Sequence, residues 1–326
     1  MIYVACRICE NSKDNRVHQF REMMFGSREK FDYLECGACG TLQIIKIPDL
    51  NNHYPKDYYS FSSGEELYIE KHLRRRIAAR LAGDYFMNGN NFPGKYLAEK
   101  KEWLRFNFPD SLREPILKLN FYSRILDFGC GGGKLLRNLY FYGFRNLTGA
   151  DAFIEKDIIY PNGIKIYKRE LKEIEPFFDL VMLHHSFEHL PNPLETLQEI
   201  RKLLVKDKFC LLRIPVVNFA WEKYGKNWVQ LDPPRHLFLY TEKSLRLLAE
   251  KAGFTVEKIV YDSEEFQFWA SEYYAKDIAM NAPDWFKLNF DESLFTEKQF
   301  NEWKKEAKQL NAEKRGDQAC FYLKKA

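Results

Sequence analysis

The chain predicts an α/β fold: a mostly parallel sheet of seven strands with helices on its faces, preceded by a small metal-held lobe and a helical extension. Three observations lead there. Residues 124–139, RILDFGCGGGKLLRNL, read as a buried strand, a glycine turn and the first turns of a helix. From there to about residue 262, apolar runs of strand length alternate with helical patterns, as crossover units of a parallel sheet require. Four of the seven cysteines form two C-x2-C pairs close to the N-terminus.

Length and charge bound what such a chain does. Its 326 residues suffice for one large α/β domain with one or two small attachments. Lysine plus arginine number 50 against 46 acidic residues, a formal charge of +4 that argues against a dedicated nucleic-acid binder. No apolar run approaches a membrane span, and the opening MIYVACRICE lacks the basic and apolar regions of a signal peptide, so a cytoplasmic protein without a membrane partner is expected. In that compartment cysteines serve as ligands or buried thiols more often than as disulfides.

Taken in order, residues 1–48 hold Cys6 and Cys9, then Cys36 and Cys39, with 26 residues between the pairs. Each C-x-x-C turn can aim two thiolates at one tetrahedral ion, so the pattern predicts a structural zinc ribbon with no open coordination position. A polar, tyrosine-rich segment follows, DLNNHYPKDYYSF, and opens the region 49–122. Apolar spacing predicts a helix over Glu65 to Leu81, whose arginines Arg74, Arg75, Arg76 and Arg80 read as a solvated face. A second helix is expected near Tyr96 to Phe106, within a stretch punctuated by Gly, Asn and Pro.

Residues 123–326 form the predicted core. The glycine turn reads D-x-G-x-G-x-G, Asp127 followed by Gly129, Gly131 and Gly133. A dinucleotide fingerprint would need glycine where Lys134 stands, and a phosphate loop would need Ser or Thr where Leu135 stands. Asp151, with Ala152 after it, ends the second strand (Leu147 to Gly149) roughly 20 residues on, where a carboxylate can accept ribose hydroxyls. The third strand, Ile164 to Tyr167, leads to Glu170 and Leu171; the fourth, Phe178 to Leu183, delivers HHSFEHLPNP. A helix from Pro193 to Leu204 and a fifth strand, Phe209 to Ile214, precede an irregular aromatic and basic insertion over 215–240. Helix Glu242 to Ala252, a sixth strand from Thr255 to Tyr261, added helix over 277–313 and a closing strand in GDQACFYLKK complete the pattern.

At the glycine turn and Asp151 the chain resembles the class I S-adenosylmethionine methyltransferases, in particular the methyltransferase-23-like group. The strings FDLVMLHHSFEHLPNP and LDPPRHLFLYTEKSLRLLAEKAGF are similar to those of small-molecule and sugar methyltransferases of bacterial carbohydrate pathways, some of which also open with a cysteine ribbon. The resemblance implies a Rossmann-like core that binds S-adenosylmethionine. Asp127, Gly129, Gly131 and Gly133 would meet its amino-acid end, Asp151 and Ala152 the ribose, Glu170 and Leu171 the adenine, with His184 beside them. It implies Tyr58 and Tyr59 as lid residues, with simple packing of the ribbon as the equal alternative. His236, and after it His189, are the candidate general bases, with His185, Glu188 and Arg235 as further acceptor-side residues. Carbon-methylating relatives have glutamate where Arg235 stands and a further C-terminal domain, so methylation of O or N on a small hydroxylated acceptor, a sugar above all, is expected. No metal-dependent chemistry is visible in the core motifs. An RNA-modifying enzyme and a non-catalytic binding module with the same fold stay open as alternatives.

Overall fold

The computed structural model describes residues 4–54, 73–280 and 294–325. The N-terminal lobe carries β1 (Arg16–Arg21), β2 (Lys30–Glu35) and β3 (Leu42–Ile44). Three helices follow: α1 (Leu73–Asn88), α2 (Phe92–Lys100) and α3 (Glu102–Phe106). The core then runs β4 (Arg124–Phe128), α4 (Lys134–Tyr142), β5 (Asn146–Ala150), β6 (Ile158–Ile159), β7 (Lys165–Tyr167) and β8 (Phe178–His184). It continues with α5 (Pro193–Leu203), β9 (Leu204–Pro215), α6 (Phe219–Tyr224), β10 (Phe238–Leu239), α7 (Glu242–Lys251) and β11 (Phe254–Tyr261). The last elements are α8 (Phe266–Ala275), α9 (Glu297–Ala312) and β12 (Gln318–Lys325).

The large sheet has the order β11-β12-β9-β8-β4-β5-β7-β6. Strands β9, β8, β4, β5 and β7 are parallel, and β12 lies antiparallel between β9 and β11, the closing hairpin expected of the tail. An eighth strand joins the seven expected, because Ile158 and Ile159 pair antiparallel with the β7 edge. The central β8, FDLVMLH, is buried from Leu180 to Leu183, as a strand covered on both faces must be. Among the described residues no helix is long and apolar enough to cross a membrane.

Two local expectations give way to packing. The first helix runs through Gly83 to Asn88, because a Cβ at 83 would come within 3.2 Å of the Tyr142 carbonyl; that glycine lets α1 lie close on α4 and does not end the helix. Arg74, Arg75, Arg76 and Arg80 are exposed, the solvated face expected, and Arg80 also places its guanidinium 4.4 Å from the Phe121 ring centre. The expected single helix near Tyr96 is two, since Lys101 turns to an extended conformation between α2 and α3.

The lobe and the core are not separate bodies. Strand β10 comes from the 215–240 insertion and pairs antiparallel with β3, Phe238 opposite Gln43 and Leu239 opposite Leu42. The small sheet β1-β2-β3-β10 therefore joins chain segments almost two hundred residues apart, and Phe20, Tyr33, Leu42 and Ile44 share one hydrophobic core with Leu183, Phe187, Phe238 and Tyr240. The Ile44 amide donates to the Leu237 carbonyl (3.0 Å), the Tyr33 hydroxyl to the His236 carbonyl (2.8 Å), and the Thr241 hydroxyl to the Cys39 carbonyl (2.6 Å).

Candidate functional site

Strand β4 ends in Asp127 and Phe128, and the backbone then turns through three positive-φ glycines, Gly129 (77°), Gly131 (51°) and Gly133 (74°), into α4. The turn is fixed from the neighbouring strand: the Gly129 amide donates to the Ala150 carbonyl and the Gly131 amide to Asp151 Oδ2, each at 2.8 Å. A Cβ on Gly129 would sit 2.4 Å from that of Ser186, so this glycine is required by close packing as well as by its φ. Asp151 itself stands just past β5, where its amide donates to the Tyr167 carbonyl (3.0 Å), and its Oδ1 accepts from the Phe153 amide (2.8 Å).

A cavity of about 1040 Å³ opens at these carboxyl strand ends. Of the residues expected at the site, Asp127, Gly129, Asp151, Ala152, His184, His185, His189 and His236 line it. Gly131 and Gly133 stand behind it in the turn, and Tyr58 and Tyr59 lie outside the described residues. Glu170 is not in the lining: its side chain caps the short 3-10 turn Leu171–Glu173 and pairs with Lys172 at 2.8 Å, while Leu171 is buried in the core.

Arg235, expected to meet the acceptor, is fully buried and does not line the cavity. Its guanidinium binds both carboxylate oxygens of Asp232, reaches Glu22 of the lobe at 3.0 Å, and stacks 4.7 Å from the Phe25 ring centre. Five donors and two carboxylates leave it a structural clamp between the lobe and the insertion. Burial works against that charge, but Asp232 and Glu22 outweigh it and raise its pKa further.

Asp127 is almost completely buried, and burial, followed by the nearby Asp151 charge, pushes its carboxyl up to about 8. Beside it, burial and then the Arg213 charge push His184 down to about 3, so that ring stays neutral; its Nε2 has no hydrogen-bond partner among the described residues.

The far wall carries three histidines around one carboxylate. His189 Nδ1 lies 2.8 Å from the Arg235 carbonyl and His236 Nδ1 lies 2.6 Å from the Gln230 carbonyl, contacts in which the ring must donate. Each neutral ring therefore keeps its lone pair on Nε2. The rings meet edge to face at 4.7 Å. Burial, and then His236, lower the His189 pKa. Glu188 is wholly buried; burial penalises its charge, yet the histidines around it hold its pKa below the ordinary value. Neither Glu188 oxygen has a hydrogen-bond partner among the described residues; His185 Nδ1 is 3.7 Å and His236 Nε2 3.9 Å from Oε1. His185 instead meets the Arg213 guanidinium at 2.7 Å.

Sequence reasoning missed Tyr54, whose hydroxyl is 3.1 Å from His189 Nδ1 and whose ring stacks on Phe153 at 5.2 Å. It belongs to the tyrosine-rich stretch already singled out, so composition pointed to the segment but not to the residue. Asp232 was also missed; only its place four residues before His236 could have suggested it.

The four N-terminal cysteines converge as their spacing requires. Their sulfurs all lie within 4.8 Å of one another, with Cys6 to Cys39 at 3.7 Å and Cys9 to Cys36 at 3.5 Å. Zn–S bonds of about 2.3 Å place tetrahedral sulfurs roughly 3.8 Å apart, so the set fits zinc. The amides of Ile8, Ala38 and Cys39 point at Cys6 and Cys36 sulfurs from 3.4 Å, favouring the thiolates.

Residues 75–259 match the family model described as a methyltransferase domain. No curated protein is similar enough to match. Among solved structures, the cyclopropane synthase MmaA2 from Mycobacterium tuberculosis is 17% identical with a TM-score of 0.41, over 64% of this chain and 81% of that one. A putative sarcosine dimethylglycine methyltransferase from Galdieria sulphuraria is 14% identical with a TM-score of 0.41, over 73% and 89%.

Proposed function

The chain belongs to the class I S-adenosylmethionine-dependent methyltransferases, and from that premise we propose that it methylates an oxygen or nitrogen of a small hydroxylated acceptor, a sugar or sugar derivative of a surface polysaccharide pathway. One observation carries the reading: a single cavity lined on one side by Asp127 and Asp151 and on the other by His189 and His236. The first pair suits a cationic, ribose-bearing cofactor, and the second suits removal of a proton from the acceptor.

The residues present fit that cofactor. Asp127 is a buried carboxyl whose pKa is raised by burial and then by the Asp151 charge, and a sulfonium or ammonium group beside it would offset both. Asp151 spends one lone pair of each oxygen on the amides of Gly131 and Phe153, leaving acceptor capacity for a pair of hydroxyls. Bound there, S-adenosylmethionine supplies an electrophilic methyl on sulfur. The chain's own task is to hold an acceptor atom in line and take its proton, and orientation alone contributes roughly 7 to 11 kcal/mol in well-positioned reactions.

Proton removal falls to His236, with His189 beside it, because each donates Nδ1–H to a backbone carbonyl and keeps Nε2 free to accept. The sugar assignment is supported by the strings quoted above and by Tyr54 stacked on Phe153 in the cavity wall, a surface suited to the flat face of a pyranose.

Methyl transfer to a panel of nucleotide-activated and free sugars, read by mass spectrometry, tests the acceptor class. His236→Asn should lower turnover on the accepted sugar by roughly 10²- to 10⁴-fold with cofactor affinity nearly unchanged. Near-full activity of both His236→Asn and His189→Asn would refute a proton-accepting role for either.

A further inference from the structure

We propose that Glu188, His189 and His236 form a second metal site, for a divalent ion of the zinc, cobalt or manganese type, in the cavity wall that the two histidines line, with Glu188 buried behind them, and separate from the cysteine ribbon. One ligating atom from each of the three lies within 4.8 Å of the others. Two histidines and a carboxylate are a donor set for such ions, and three protein ligands leave positions open to the cavity.

The independent observation is Glu188. Its side chain is wholly buried, and neither oxygen finds a hydrogen bond among the described residues. A carboxylate in that position is costly unless a cation or donors face it, and native structures rarely leave one so. His185 Nδ1 comes nearest, 3.7 Å from Oε1 and beyond hydrogen-bond reach, and the other two imidazoles around it have their Nδ1–H groups already committed to the Arg235 and Gln230 carbonyls. That arrangement leaves both Nε2 lone pairs uncommitted, with His236 Nε2 standing 3.9 Å from Glu188 Oε1, and supplies the orienting partner that metal-bound histidines characteristically have. Two lone pairs and an anion facing one another repel; a dication between them converts the whole set to ligands. Metal–nitrogen and metal–oxygen bonds of about 2.0 to 2.2 Å put neighbouring ligands roughly 3.0 to 3.5 Å apart, so the triad has to close by about an ångström.

The use of the site rests on the methyltransferase reading; the binding does not. An acceptor hydroxyl bound to the ion loses its proton to water more readily, its oxygen lone pair forms the bond to the methyl carbon, and the carbon–sulfur bond breaks with its electron pair retained by sulfur. The products are a methyl ether and a thioether. One lone pair cannot be base and ligand together, so with the ion bound the histidines hold the metal and the metal acidifies the hydroxyl. The acceptor class thereby narrows to hydroxyl groups able to ligate a metal, adjacent diols foremost.

The experiment uses the full chain with its cysteine site filled with zinc, stripped of weaker ions, and titrated with Co²⁺. The expected result is one further ion per chain, with the weak visible bands of nitrogen and oxygen ligands and no thiolate charge-transfer band. Glu188→Gln and His236→Gln should each weaken that ion about 100-fold, whereas Glu188→Asp keeps part of the affinity. Calorimetry with S-adenosylmethionine on the same preparations confirms the fold and judges the methyltransferase reading separately, since ion uptake without cofactor binding would fail only the latter. A wild-type chain that takes up no second ion, or a second ion indifferent to all three substitutions, overturns the proposal.

Discussion

Replacing Glu22 with alanine should loosen the acceptor side of the site from the opposite end of the chain. Glu22 sits just after β1, yet its Oε1 meets the buried Arg235 at 3.0 Å, next in sequence to His236. Its carboxylate also accepts from the Phe25 amide (2.7 Å), the Ser27 amide (2.9 Å) and the Ser27 hydroxyl (3.1 Å). Removing one partner of a buried ion pair costs about 3 to 5 kcal/mol, and Arg235 keeps Asp232, so the lower end, about 3 kcal/mol, is expected. Glu22→Gln keeps one acceptor oxygen in place of two, so it serves only one side of the turn and loses the charge, and it should cost nearly as much as alanine. The assay is urea unfolding at fixed free zinc, with turnover and cofactor affinity measured on the same variants. Turnover should fall, since the loop bearing His236 loses its anchor, while cofactor affinity holds, since β4 and β5 are untouched. A stability loss under about 1 kcal/mol, or an equal loss of cofactor affinity, would refute the claim that the lobe positions the acceptor side.

Two further outcomes follow from the same structure. Cys36→Ser combined with Cys39→Ser should abolish zinc at the ribbon by elemental analysis, and turnover should fall with it, because β3 and β10 share a sheet; unaltered turnover without zinc would contradict that coupling. The folded Asp127 carboxyl titrates at about 8, above its ordinary 3.8, so between those values the folded state holds a proton that the unfolded state has lost. Its contribution to stability is therefore complete below pH 4 and is lost as pH rises to 8, with a slope of at most about 1.4 kcal/mol per pH unit. Asp127→Asn should flatten that part of the thermal stability profile of the free chain, and an unchanged slope would show that Asp127 is not the group responsible.

What the sequence made legible was local. The strand, turn and helix around Gly129 to Gly133 are contiguous, the cysteine pairs advertise themselves by spacing, and His184 to His189 follow β8 directly. What it hid depends on distant pairs. Nothing near Arg235 announces that Glu22 neutralises it, so a buried clamp read as a substrate contact. Tyr54 reaches His189 across 135 positions of sequence, and β10 is two residues long, too short for any pattern to reveal. Helix α8, FQFWASEYYA, is buried on most of its circumference and so lacks the 3.6-residue alternation by which helices are recognised. Glu170 followed the position expected of an adenine contact, but Glu173 three residues on made it half of a capping box.

The central claim is that the cavity between Asp127, Asp151 and the histidines receives S-adenosylmethionine, and calorimetric titration of the zinc-loaded chain with that cofactor tests it most directly. One molecule should bind per chain. Asp151→Ala should weaken it by roughly 1.5 to 3 kcal/mol, the worth of hydrogen bonds to a charged group, with part of the loss arising from the untethered Gly131 amide. No binding of S-adenosylmethionine, tight binding of NAD in its place, or an affinity indifferent to Asp151→Ala would contradict it.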